Sequence, residues 1–429
     1  MSEVMTATPQ GWSAGRRRLA LIALAIGYGL NTADRQLLSI LAGPVKADLN
    51  LSDTELGLMG GVAFALFYAT CGLPLAWIAD RWSRANVIAI GLGVWSAFTA
   101  ACGVVQTGAQ LFLCRLGVGF GEAGGTAPSF SLVSDYYPPN QRGRALALLN
   151  FAAPLGVAIG PLAGALITEI IHWRAAFVIA GVGGLLFVPY FRWAVRDPSE
   201  QTRGEDVVAV AKLAPSERRN GLKKLFRSST FWCLAIGASF SSMVLQGLLF
   251  WLPSFLERTY ELEIIERAIV FGVTTAVAGI MGNWISGWIM DKRGSNRRLY
   301  VLLPAVAGLI AIPIYVVGLS ASTLWVAVLF IFLGMILTFA YSTPIYVAVQ
   351  HLVRPGMRST GIASYLFINN SIGIGIGIVL LGFLSDLLTP LFGNDALKYS
   401  ILASVCLYLL SAAFFWLCSR TLERDWIDG

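Results

Sequence analysis

Ala76-Trp77-Ile78-Ala79-Asp80-Arg81-Trp82-Ser83-Arg84 has a near copy 211 residues further on, Gly287-Trp288-Ile289-Met290-Asp291-Lys292-Arg293-Gly294. In both, a small residue and a Trp-Ile pair close an apolar run, and an acid followed at once by a base opens the next loop. The offset is about half of the 429 residues. A loop repeated at half the chain length implies a duplicated multi-helix unit, the sequence mark of a carrier whose site lies where the halves meet.

Outward from these loops the chain is apolar runs joined by short connections. The runs fall at 19–43, 54–79, 86–106, 108–133, 143–168, 174–195, 230–256, 266–290, 299–319, 322–349, 359–385 and 396–419. Each is near the ~20 residues a helix needs to cross a bilayer. Only 13% of residues are charged, about half the share found in soluble domains, and the mean hydropathy is +0.69. The expected fold is therefore all-α and membrane-embedded, with twelve transmembrane helices in two pseudo-symmetric six-helix bundles. The expected division is 1–195 for the first bundle, 196–229 for a charged linker and 230–429 for the second bundle.

The formal charge of +7 does not indicate a nucleic-acid partner, because the bases sit in short loops between the runs. If the N-terminus is cytoplasmic, 24 Lys and Arg fall on that side and five (Lys46, Arg174, Arg258, Arg267, Lys398) on the other. The positive-inside rule then puts both termini and the linker in the cytoplasm. Arg16–Arg18 precede a run with no small-residue cleavage site, which reads as an uncleaved first span. Short loops suggest a bacterial inner membrane. The six cysteines show no CxxC spacing, so neither a metal site nor a disulfide framework is implied. No GxxxxGK[ST] or HExxH motif is present, so neither an ATP-driven pump nor a zinc protease is expected, and no cofactor.

Four ionisable residues lie deep inside runs: Asp34 and Arg35 in the first, Arg115 and Glu122 in the fourth. Unpaired, they would together cost about 10–14 kcal/mol on insertion scales, so each needs a partner or water. Seven residues separate Arg115 from Glu122, so they share a helix face about 10 Å apart. Asp34 and Arg35 point about 100° apart and need not share a partner. A buried carboxylate prefers its proton, while a guanidinium beside it favours ionisation. Exchange of arginine partners can thus couple a proton to the opening of a cavity, with Asp34 and Glu122 as proton carriers and Arg35 and Arg115 as ion-pair or substrate-binding groups. A static network that fixes helix packing is the alternative. Asp80, Arg81, Arg84, Asp291 and Lys292 form the expected cytoplasmic gate. In the second half Ser239, Ser241, Ser242, Gln246, Asn283, Ser342 and Asn369 are uncharged polar groups suited to interhelical hydrogen bonds or a cavity wall.

The paired (G/A)xxxD(R/K) loops resemble motif A of the major facilitator superfamily. Arg115-Leu-Gly-Val-Gly119-Phe-Gly121-Glu122 looks like that family's motif around an intramembrane arginine. Gly156-Val-Ala-Ile-Gly160-Pro161-Leu-Ala-Gly164 is similar to its GxxxGPxxG motif. Asp34-Arg35, Trp95-Ser96, Gly121-Glu122-Ala123, Ala127-Pro128 and Asp135…Arg142-Gly-Arg144 resemble the spinster branch. The resemblance implies a secondary transporter working by alternating access on an amphipathic lipid such as a lysophospholipid or sphingosine phosphate. A proton-coupled symporter of small organic anions is the second reading, and a channel or passive pore the third. Protons, the bilayer and an amphipathic or anionic small molecule are the expected partners, and the chain is expected to act as a monomer.

Overall fold

The computed structural model describes residues 13–198, 215–293, 296–354 and 357–427. Its secondary structure is helical. The first half holds α1 (Ala14–Ile40), α2 (Ala42–Leu49), α3 (Asp53–Gly60), α4 (Val62–Arg81), α5 (Arg84–Cys102), α6 (Gly108–Ala123), α7 (Thr126–Tyr136), α8 (Pro139–Ile170) and α9 (Trp173–Ala194). The linker contributes α10 (Pro215–Arg227). Then follow α11 (Ser229–Tyr260), α12 (Ile264–Arg293), α13 (Leu299–Ser320), α14 (Leu324–Phe339), α15 (Ser342–His351) and α16 (Arg358–Asn370). A π-helical turn (Ser371–Ile376) leads into α17 (Gly377–Phe392), and α18 (Ala396–Val405) and α19 (Leu407–Asp425) complete the chain.

Short polar residues set the helix starts where the apolar runs begin. Ser52 and Glu55 form a reciprocal capping box at α3, and Ser83, Thr107 and Ser228 cap α5, α6 and α11. Each cap satisfies an amide that the first helical turn leaves without a partner.

Nine segments among the described residues are long and apolar enough to cross a membrane. One of them, Thr360–Asp425, has 66 residues and folds back at the Gly393–Asp395 turn, where α18 packs on α17. It therefore counts as two rods. Two further rods, α1 and the α6–α7 pair, fall outside the nine and are the ones that carry Asp34, Arg35, Arg115 and Glu122. Ionised groups lower their mean hydropathy without shortening them: the 27 residues of α1 span about 40 Å. The described residues thus build the twelve rods that the apolar pattern predicts.

By contacts the chain divides into two compact units, one formed by residues up to Leu49 and by Leu66–Val208, the other by Asn50–Ala65 and the chain from Ala209 on. In the first unit α1 runs along α8, and α5 lies between α6 and α9. Gly156 and Gly160 make the α1–α8 approach possible. A Cβ at Gly156 would meet Thr32 Oγ1 at 2.1 Å, and one at Gly160 would meet Ala33 Cα at 2.6 Å. The glycine-rich motif is therefore a packing surface for the helix that bears Asp34 and Arg35.

In the second unit α11 is the central rod, packed against α19, α17 and the π-helical turn. The uncharged polar residues singled out above stitch these helices together: Ser241 Oγ lies 2.8 Å from Ser411 Oγ, Asn369 donates to Ser242 at 3.4 Å, and Ser342 donates to Asn283 at 2.8 Å. The segment 50–65 belongs to this unit because α3 lies along α17 and its first residues are clamped there. Asp53 receives both Arg258 Nη1 (2.7 Å) and Nη2 (2.6 Å), and Ser385 Oγ at 2.6 Å. Asp386 in turn caps α3, accepting from the amides of Asp53 and Thr54 and from the Thr54 hydroxyl at 2.6–3.0 Å.

Candidate functional site

The four intramembrane charges converge in the first unit. α1 presents Asp34 and Arg35 to different partners on α6, as their angular separation allows. Arg115 Nη1 lies 3.6 Å from Asp34 Oδ2, and Arg35 Nε donates to Glu122 Oε2 at 2.7 Å. Thr99 of α5 donates to Asp34 Oδ1 at 2.8 Å. The Arg35 guanidinium also stacks 4.5 Å from the ring centre of Tyr68 on α4. Both pairs join the same two helices, α1 and α6, through adjacent residues of α1, so they form one cluster.

Burial within the cluster is uneven. The side chains of Glu122 and Arg115 are 0% and 2% exposed, whereas 25% of the Arg35 side chain is open. Close packing puts α6 there: a Cβ on Gly121 would come within 2.5 Å of the Trp95 backbone nitrogen, so the residue before Glu122 lies directly against α5. Two acids and two guanidiniums make the cluster formally neutral. Pairing removes most of the penalty of burying each charge, but such a pair is seldom more stable than apolar residues of the same volume. Asp34 Oδ2 and Glu122 Oε1 are buried and accept no hydrogen bond among the described residues. At 3.6 Å the Arg115 contact is an ion pair rather than a hydrogen bond.

A cavity of about 560 Å³ reaches Asp34, the one member of the cluster among its lining residues. Its walls come from α1, α5, α8 and α9 and are apolar, with Leu30, Phe151, Leu155 and Ile159 along them and Asp34, Ser96 and Thr99 as the polar groups. That volume is within the range of small-molecule sites.

The residues expected at a cytoplasmic gate are divided between the two units. Arg84 is engaged inside the first unit. Its Nε and Nη2 donate to Asp197 at 3.1 and 2.7 Å, its Nη1 lies 2.6 Å from Asp135 Oδ2, and the same Nη1 donates to Ser131 at 2.8 Å. The Asp197 side chain is fully buried by this contact. Asp291 and Lys292 are exposed at the end of α12, with Lys292 Nζ 4.1 Å from the centre of the Trp288 ring. The side chains of Asp80 and Arg81 lie outside the described residues. His172 caps α9 by accepting from the Arg174 amide at 3.3 Å, and His351 stacks on Trp426 with ring centres 4.2 Å apart.

Sequence reasoning missed Thr99, Tyr68, Asp197 and the Asp53–Arg258–Asp386 clamp. Thr99 and Tyr68 had no signal, since a lone hydroxyl in an apolar run is ordinary. Asp53 and Asp386 each lie one residue beyond the edge of an apolar run. There an acid reads as a solvated helix end until Arg258 is seen to bond Asp53, and Asp386 to accept from the amides that open α3.

Comparison with known proteins gives a consistent picture. The sequence profile of the Major Facilitator Superfamily matches residues 24–378. An MFS-type efflux pump of Mycolicibacterium smegmatis is 33% identical over 416 residues, covering 96% of this chain and 95% of that one. A probable L-galactonate transporter of Escherichia coli is 29% identical over 279 residues, covering 63% of this chain and 61% of that one. Among solved structures, a bacterial homologue of the human lysosomal transporter spinster, inward-facing and unoccupied, superposes with a TM-score of 0.88 at 28% identity. The match covers 97% of this chain and 100% of that one.

Proposed function

The chain belongs to the major facilitator superfamily, and from that premise we propose that its Asp34–Arg115 and Arg35–Glu122 pairs couple proton movement to the transport of an amphipathic molecule. It is a spinster-like secondary transporter and not an enzyme. One observation carries the proposal: an apolar cavity reaches Asp34, whose Oδ2, like Glu122 Oε1 beside it in the cluster, is buried with no hydrogen-bond donor among the described residues.

A carboxyl oxygen that no donor holds is free to take up a proton. A carboxylate in an apolar surround favours the protonated form, and an adjacent guanidinium favours the ionised one. When Arg35 turns from Glu122 towards the anionic head of a substrate, Glu122 takes up a proton. When the substrate leaves, the pair re-forms and the proton is released. Arg35 suits this exchange because a quarter of its side chain is open, and Tyr68 offers a surface on which the guanidinium can pivot. Arg115, almost wholly buried, lies beside Asp34, so a shift of α1 against α6 acts on this second pair as well. A lysophospholipid or sphingosine phosphate has an anionic head for an arginine of the cluster and a tail for the apolar walls that reach Asp34. The transporter works as a monomer in a bacterial inner membrane, with both termini in the cytoplasm, as the Lys and Arg distribution supports.

A second reading takes a small organic anion in place of the lipid, and the similarity to a probable L-galactonate transporter favours it. Liposomes containing the protein decide between them. Uptake of labelled lysophospholipid is expected to rise with an imposed pH gradient and to resist competition by sugar acids. Asp34→Asn and Glu122→Gln are expected to retain counterflow exchange and to lose the response to the gradient. Gradient-driven flux that is unchanged in both variants would refute the coupling role. Competition by galactonate, with no lipid flux, would replace the lipid by the organic anion.

A further inference from the structure

We propose that the cleft where the linker helix α10 meets the ends of α15 and α19 binds the phosphoryl headgroup of an anionic membrane lipid. The cleft has a volume of about 640 Å³ and lies wholly within the second unit. It shares no residue with the charged cluster or the apolar cavity of the first unit. The lipid meant here therefore remains on the protein as a resident ligand, and its site stands independently of the transported substrate.

Charge is the first argument. Lys224, Arg227, Arg354 and Arg424 line the cleft, and Asp425 is its one acidic lining residue among the described residues. Asp425 is already engaged: it accepts from Thr230 Oγ1 at 2.6 Å, from Ser228 Oγ at 3.1 Å and from Arg424 Nε at 2.9 Å. Lys224, Arg227 and Arg354 are exposed and make no ion pair among the described residues. Two cations of α10 and one from the turn after α15 thus line one concave space and pair with no acid among the described residues. Like charges held together in this way repel each other unless an anionic group lies between them.

Depth in the membrane is the second argument, and it selects a lipid over a soluble anion. A single residue, Ser228, separates α10 from α11, a 32-residue helix that holds a membrane-crossing stretch. The cleft therefore lies at the level where lipid headgroups begin. Trp232 and Phe226 are exposed beside it, and the Trp232 indole donates to the Phe226 carbonyl at 2.8 Å. Exposed aromatic side chains at a helix end are characteristic of the headgroup region. Beneath the cations the floor is apolar, with Leu225, Leu352, Val353 and Met357 buried. A phosphoryl group on the rim and glycerol and acyl carbons on the floor match both surfaces. Basic pockets between helix ends on the cytoplasmic side are a recognised form of anionic-lipid site.

The test uses the full-length protein in nanodiscs of phosphatidylcholine, with and without phosphatidylglycerol or cardiolipin. Thermal unfolding and native mass spectrometry provide the two readouts. Anionic lipid is expected to raise the melting temperature and to remain as a mass adduct. The triple variant Lys224→Ala, Arg227→Ala, Arg354→Ala is expected to melt with the parent protein in phosphatidylcholine alone. It should bind the anionic lipid on the order of 100-fold more weakly, as loss of three headgroup-facing cations implies. If the triple variant unfolds early even in neutral lipid, Lys224→Gln with Arg354→Gln is read by adduct retention alone. An adduct and a thermal shift that survive the substitutions would overturn the assignment. So would inorganic phosphate that reproduces the full stabilisation, since the site would then recognise a soluble anion.

Discussion

Arg115 illustrates how tightly the central residues constrain one another. Its side chain is 2% exposed and its guanidinium lies 3.6 Å from Asp34. Truncation of one member of a buried pair strands the other, at about 3–5 kcal/mol. Arg115→Ala is therefore expected to destabilise the protein by that amount, read from thermal unfolding in detergent. Asp34→Ala combined with Arg115→Ala should recover much of the loss, because no buried charge is then left alone. Equal destabilisation by the single and double variants would show that the two residues do not act as a pair. The four charged positions were legible in the sequence because an ionised residue inside an apolar run stands out. The angular separation of Asp34 and Arg35 also showed that they need not share a partner. The side chains that complete the cluster were not legible: nothing distinguishes Thr99 or Tyr68 from other hydroxyl groups until α5 and α4 are in place.

Helices α1 and α8 meet through glycine, and the approach fixes where Asp34 stands. A Cβ on Gly160 would lie 2.6 Å from Ala33 Cα, the neighbour of Asp34. Gly160→Val is expected to push α1 away, to cost about 1–3 kcal/mol through overpacking, and to abolish gradient-driven flux. Gly183→Val is the control, since a Cβ there meets nothing within 4 Å. If both variants transport alike, the α1–α8 contact does not position the cluster. At this scale the apolar runs gave the rods closely, because about twenty apolar residues are long enough to cross a bilayer and leave few alternatives. The interruptions were hidden. Breaks at Gly61 within the second run and at Gly124–Gly125 within the fourth, and the π-helical turn at Ser371–Ile376, come from packing between helices, which hydropathy along one helix does not report.

Across the whole molecule, the repeat of the Asp80 and Asp291 loops pointed to a chain made of two halves. The contact pattern adds a feature that the repeat does not carry: residues 50–65 are grouped with 209–429, although they precede 66–208 in the chain. Hydropathy could not reveal this, because the decisive contacts are Asp53 with Arg258 and Asp386 with the start of α3, each more than 200 positions apart in sequence. The polypeptide is thus interlaced. Separate synthesis of 1–208 and 209–429 in one cell would give two fragments, the first carrying α3 that the second lacks. The shorter piece would dock that helix into its companion by complementation, and the two should copurify with no covalent link. Asp53→Ala should weaken their recovery as a pair. Fragments that separate regardless of Asp53 would mean that the clamp is too weak to hold the interlaced arrangement once the chain is cut.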